Sequence, residues 1–183
     1  LILEDAAESA AVREIIASVR QGGDEAVSEI SARVDGVNIP PESIRVPVEE
    51  LSRARDSLPR NLLDAIRHAI GAVRHFQEYL RSAMPQTMAR AGRELAIRTR
   101  PLSRVGVCVP GAAAPLPSSA IHCAVPAQVA GVKEVVLVAP PRHNGDIHPT
   151  ILATAYELGI TEVYRMGGAQ AIAALAMGWC LYT

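Results

Sequence analysis

Aromatic residues are scarce: the 183-residue chain holds one Phe, one Trp and four Tyr, 3% in all. That leaves almost no stacking platform for single-stranded nucleic acid and few anchors for an interface, so aliphatic packing must build the core. A surplus of one charge sign is missing too. The formal net charge is −1 and the pI about 6.6, so no global basic field attracts a phosphate polymer or an anionic bilayer. Lysine is nearly absent, Lys133 being the single lysine among 18 basic residues; the skew reads as genome composition and carries no function. Cys108, Cys123 and Cys180 form no CxxC pair and are odd in number, which favours a reducing compartment. Glu4, Asp5 and Glu8 sit where a signal peptide needs a basic patch and an apolar run, so the expected location is cytoplasmic. Residues 105–132 contain no Asp, Glu, Lys or Arg, but Pro110, Pro115, Pro117 and Pro126 interrupt them. They read as buried sheet and helix, not as a membrane span. What is present, 49% hydrophobic and 20% charged residues at a mean hydropathy of +0.17, predicts a soluble globular chain of one domain or one plus a fragment.

Charge is uneven along the chain. Residues 1–93 carry 12 Arg and 14 Asp or Glu, against 6 Lys or Arg and 5 Asp or Glu in residues 94–183. The predicted division is a helical N-terminal region, 1–93, and a more buried α/β region, 94–183. In the first, Asp5 and Glu8 form a capping-box start; Val12, Ile15, Ile16 and Val19 share a face, and Gly22-Gly23 stops the run. Asp24 caps a second helix with the stripe Val27, Ile30 and Val34, closed by Gly36. Pro47 opens a short helix over 48–56. Residues 59–82 keep three-four spacing through Leu62, Leu63, Ile66, Ile70, Val73, Phe76 and Leu80, with His68 and His75 flanking the stripe.

The period then changes. Residues 94–99 and 104–109 read as two strands joined around Pro101, followed by a helix at 118–130, the buried strand "KEVVLVAPP", a helix at 149–158 closed by Gly159, the strand "TEVYRMGG" and a helix at 169–177. Apolar strands alternating with short helices give a βαβαβ parallel sheet, one half of a nucleotide-binding fold.

Such sheets bind ligands outside the carboxyl ends of their strands. Three loops lie there: "VPGAAAPLPSS", where Gly111 permits close backbone approach; "APPRHNGD", with His143, Asp146 and His148; and "MGGAQ", with Gln170 in a first helical turn. A P-loop and GxGxxG are both absent. Read as bare residues, Gln170 is solvated or capping and the His143, Asp146, His148 loop is a solvated turn. His122 is a satisfied structural histidine, and Cys108 and Cys123 are small buried hydrophobes.

Taken in order, "RPLSRVGVCVPG", "APLPSS", "PAQVAGVKEVVLVAPP" and "GGAQAIAALAMG" resemble histidinol dehydrogenase, and "VREIIASVRQGGDEAV" in the helical part fits as well. The resemblance implies an incomplete Rossmann-like domain of aldehyde-dehydrogenase-like type in a homodimeric, zinc-containing, NAD-dependent enzyme. Such enzymes oxidise L-histidinol through the aldehyde to L-histidine in two hydride transfers. By the same resemblance, Cys108 stands where the family has an NAD-contacting tyrosine, and a thiol lacks that stacking area. Gly111 is the first glycine of the family's PGG, Ala112 replaces the second, and Gln170 is the glutamine of GGAQA.

The family's Glu-His base pair, its Gln, His, Asp and His zinc ligands, its GPGN asparagine and its substrate-binding groups all follow the GGAQA helix. The tail "WCLYT" does not continue that pattern, and none of His68, His75, His122, His143 or His148 matches a zinc ligand. The expectation is therefore a truncated member with no catalytic and no metal-ligating residue of its own, inactive alone. Two further readings are a non-catalytic nucleotide-binding or dimer-forming module, and an enzyme using Cys108 as redox or acyl nucleophile with His122 as base.

Overall fold

A computed structural model describes residues 6–84, 87–111 and 114–178. Asp5, Ala112, Cys180 and the rest of the tail at 179–183 lie outside them.

The first helical pair forms as the glycines predict. Helix α1, Ala6–Asp35, is broken at Gly23, whose φ of 57° and ψ of −133° place it in a region almost reserved for glycine. Val19, Val27 and Ile30 are buried and Ile15 and Ile16 lean on the core. Val12 and Val34, expected on the same stripes, are exposed, since the packed part of each face lies near the kink. Helix α2, Val48–Ser57, buries Leu51 and Ala54. Helix α3, Arg60–Ala83, has the expected extent but buries only Ile66 fully. Ala69, Ile70 and Val73 rest on the core, whereas Leu62, Phe76 and Leu80 are exposed.

The strand expected at 94–99 pairs differently. Arg93–Ala96 (β2) joins Thr87–Arg90 (β1) in an antiparallel hairpin, which the sequence reading did not foresee. Ala91 at φ 49° and Gly92 at φ 74° form its turn, the positive pair that two-residue hairpin loops require. Every residue of both strands is exposed.

Strands β3 (Arg104–Cys108), β4 (Glu134–Ala139) and β5 (Glu162–Arg165) form a parallel sheet in that order. Helices α4 (Pro117–Ala130), α5 (Pro149–Glu157) and α6 (Gly168–Met177) alternate with them. Alternation along the strands sorts the core into two layers. Val107, Leu137, Ala139 and Val163 pack with α4, α5 and Leu51 of α2. Val136, Val138, Tyr164 and Met166 pack with α6 and α1 on the other face.

Polar ties join helices within one layer and strands within the sheet. Glu157 of α5 accepts from Arg67 Nε at 2.7 Å and from Arg55 Nε at 3.3 Å, and the bond from Arg67 leads in holding its carboxyl below the usual range. Arg104 reaches Glu134 and Glu162, tying the starts of all three strands. The outer edge of β5 is sealed: Arg165 N donates to Ile44 O at 2.7 Å and Val46 N to Val163 O at 2.8 Å. The outer edge of β3 has no strand partner among the described residues.

Gly23→Ala forces a side chain into this backbone conformation and is expected to cost about 1–3 kcal/mol, read as a lower urea midpoint with an unchanged m-value; an unshifted midpoint would show that the kink relaxes freely.

Candidate functional site at the carboxyl end of the sheet

Pro140, directly after β4, is the point on which the strand-end loops converge. A Cβ placed on Gly111, in the loop after β3, would lie 3.1 Å from Pro140 Cγ, and one on Gly167, after β5, only 2.7 Å from Pro140 Cβ. A side chain at 167 would collide with this rigid ring, and one at 111 would press tightly against it. A cavity of about 120 Å³ opens beside them, lined by Gly111, Pro115, Pro140, Arg142, His143 and His148 among others.

Gln170 sits in the first turn of α6 and is 1% exposed. The neighbouring Gly168 has φ 61°, and a Cβ there would meet Gln170 Oε1 at 2.9 Å. Its amide Nε2 is buried with no hydrogen-bond partner among the described residues. The solvated or capping role read from the bare residue is thus not what the structure shows. A buried amide donor left unpaired costs free energy, about 1–3 kcal/mol, a cost that a water or a ligand acceptor reaching it would offset.

Cys108 ends β3, and Val109 N donates to Val138 O just beyond it at 2.8 Å. Both Cys108 and Cys123 are exposed, which corrects the expectation of buried thiols. Cys108 lies on an edge strand, and the core-facing positions of α4 are taken by Ala120, Ile121, Ala124 and Val125. Partial burial of its sulfur, and secondarily Cys123, push the Cys108 thiol up. His122 is at the surface, its Nδ1 2.9 Å from Ser118 O. Of the three positions singled out from the sequence, Gly111 lines the cavity; Cys108 and Gln170 stand at the same end of the sheet and do not line it.

The loop after β4 is ordered by its own contacts. Asn144 (φ 52°) and Gly145 (φ 85°) form a turn closed by His143 N to Asp146 O at 2.9 Å and Asp146 N to His143 O at 3.0 Å. Asp146 Oδ1 accepts from Ile147 N at 2.6 Å and from Arg165 Nε at 2.7 Å. Its carboxylate is thereby committed to structure, and among the described residues no group of three or more His, Cys, Asp or Glu is placed to hold a metal ion. His148 is the N-cap of α5, its Nδ1 accepting from Thr150 N at 3.1 Å. Histidine is not a preferred cap, so the sequence carried no signal for this role. Nor did it single out Arg165, which also binds Glu50 and the carbonyls of Ser43 and Arg45, or the pairing of Arg142 with buried Asp35 at 2.7 Å.

Comparison with known proteins shows the family and the fold. A family profile described as histidinol dehydrogenase matches residues 3–181. The histidinol dehydrogenase of Geobacillus kaustophilus is 43% identical over 168 residues, 92% of this chain and 39% of that protein. That of Caulobacter vibrioides is 43% identical over 169 residues, with the same shares. The crystal structure of histidinol dehydrogenase from Elizabethkingia anophelis superposes with a TM-score of 0.83 at 29% identity, covering 94% of this chain and 39% of that one. The chain thus spans about two fifths of the length of the relatives it matches.

A thiol with a raised pKa is a poor nucleophile near neutrality. Iodoacetamide at about pH 7 is expected to alkylate Cys108 more slowly than a free cysteine, by mass-spectrometric time course; rapid labelling would revive a nucleophilic Cys108.

Proposed function

The chain belongs to the histidinol dehydrogenase family, and from that premise we propose that it supplies the cofactor side of an NAD-dependent oxidation of L-histidinol to L-histidine. The observation that carries the reading is Gln170: an unpaired, buried amide donor at the start of α6, on the glutamine that the resemblance assigns to NAD. When bound, the nicotinamide accepts hydride; the protein's part is to place it. Gly111 and Gly167, both pressed to Pro140, keep the strand-end loops slim enough for a dinucleotide backbone to approach. The N-termini of α4 and α6 offer unpaired N–H groups to anionic oxygens. Gln170 Nε2 supplies one further donor. Cys108, in place of the family's tyrosine, provides no aromatic face, so affinity rests on the backbone and Gln170.

Zinc does not fit the described residues. Their histidines and carboxylates form no ligand set. Of the described residues beside the loops, His143 and His148 are titratable, but His148 Nδ1 is engaged in capping α5 and neither stands where the resemblance places the family's base, so histidinol turnover is not expected of this chain alone. Two free thiols support a cytoplasmic setting. The exposed apolar side chains of α3 and the hairpin, Phe76, Leu80, Met84, Met88 and Leu95, support a homodimer. No helix among the described residues is long and apolar enough to cross a membrane. The proposed division is a helical region, 1–93, and a Rossmann-like half-domain, 94–183, with the β1–β2 hairpin straddling the boundary.

The second reading, a non-catalytic nucleotide-binding or dimer-forming module, is favoured by the lack, among the described residues, of any group of three or more His, Cys, Asp or Glu that could hold a metal ion. Calorimetric titration with NAD, beside an NADH absorbance assay with histidinol, separates the possibilities. Gln170→Ala is expected to weaken NAD about tenfold, the worth of roughly one neutral hydrogen bond, with little change in Tm. An unaltered affinity would remove Gln170 from the site, and steady NADH production by the purified chain would sink the claim of inactivity.

A further inference from the structure

Helix α5 is capped by an imidazole, and only one protonation state of an imidazole can do this. His148 Nδ1 accepts the Thr150 amide hydrogen at 3.1 Å, which requires a free lone pair on that nitrogen. The same ring stands against His143, with centroids 4.3 Å apart and planes inclined by 60°. Both rings line the cavity beside Gly111 and Pro140. We propose that His148 is a proton-controlled clasp: neutral, it caps α5 and holds residues 140–148 in place at the cavity wall; protonated, it releases the cap and lets that wall move.

Protonation at Nδ1 turns the acceptor into a donor facing another donor. It also sets a positive charge at the positive end of the α5 dipole and next to a second imidazole. The charged groups around the ring do not compensate. Arg142 lines the same cavity and adds positive charge, its own partner being Asp35 of α1. Asp146, the carboxylate of the loop, is held by Arg165 of β5 and by Ile147 N. The loop after β3 contributes Gly111, Ala114 and Pro115 and helix α5 contributes Ile151, none of them titratable. Burial first, and His143 second, hold His148 below the ordinary imidazole value of 6.5.

The direction of the pH effect follows from that sign. An unfolded His148 takes its proton near the ordinary value, the folded one at lower pH. The stability of the cap is therefore complete above about pH 6.5 and is lost as pH falls through the folded value. The clasp does not rest on the NAD assignment, and its test uses no nucleotide, so either reading can fail without the other.

Amide hydrogen exchange of the full chain, followed by NMR and corrected for intrinsic rates, tests it at Thr150 and Ile151. Protection in the wild type is expected to fall about tenfold from about pH 7.5 to about pH 5. His148→Asn, which caps without titrating, is expected to hold it nearly constant. His148→Ala is expected to be poorly protected at both pH values, and His143→Gln to move the wild-type midpoint upward. Protection that is flat in the wild type, or that falls equally in His148→Asn, overturns the proposal. So does a general loss of ellipticity at low pH shared by both proteins.

Discussion

Strand β4 is packed on both of its faces, and the remaining elements are arranged around that double burial. Val136 and Val138 face α1 and α6, while Leu137 and Ala139 face α4 and α5. All four are essentially inaccessible to water. A slip of one residue would exchange the two sets and bring each against the wrong layer, so the register is strongly specified. Fixing Ala139 fixes Pro140, and the position of Pro140 decides where the loops after β3 and β5 can run. The geometry of the candidate site is thus inherited from the core, with glycine at 111 and 167 as the local concession to it.

Much of this was legible in the sequence because it follows from strong local rules. The break at Gly23, the helix starts at Pro47 and Pro149, the parallel sheet of β3, β4 and β5 and the αL closure at Gly159 each have a strong signature. The hairpin of β1 and β2 had none. Its strands are short, rich in arginine and exposed on both faces, so no apolar alternation marks them, and Ala91 stands where Asn or Asp normally announces such a turn. The stripe on α3 was visible, but periodicity tells which side of a helix is apolar and not how much of it a neighbour covers. Hence Ile66 is buried and Phe76, three turns on, is exposed.

The site was partly legible for a different reason. Gly111 was read from its strand-end loop as a point of close backbone approach, and Gln170 gained its role through resemblance to a family pattern. What the structure adds is the cause: a close approach to Pro140 for one, an unpaired donor for the other. His148 was visible only as a chemical type, because its role depends on a rotamer and a helix start that no spacing reveals. The committed state of Asp146 was equally hidden, since Arg165, which holds it, is 19 residues further along the chain.

The two edges of the sheet are unlike. On the β5 side residues 44–46 run along the strand and occupy its hydrogen-bonding groups. On the β3 side α6 returns across the sheet and lays Leu175 against Gly106, and among the described residues no strand pairs with that strand's outer row. The sheet is therefore directional as a template: β3, β4 and β5 were laid down toward the sealed side, and only the opposite flank can accept a fourth strand. Addition there would reverse the order of winding, and such reversals open a crevice above the strand ends, with Cys108 at its lip. The same chain segment that blocks one margin thus dictates on which side of β3 a deeper cleft can form.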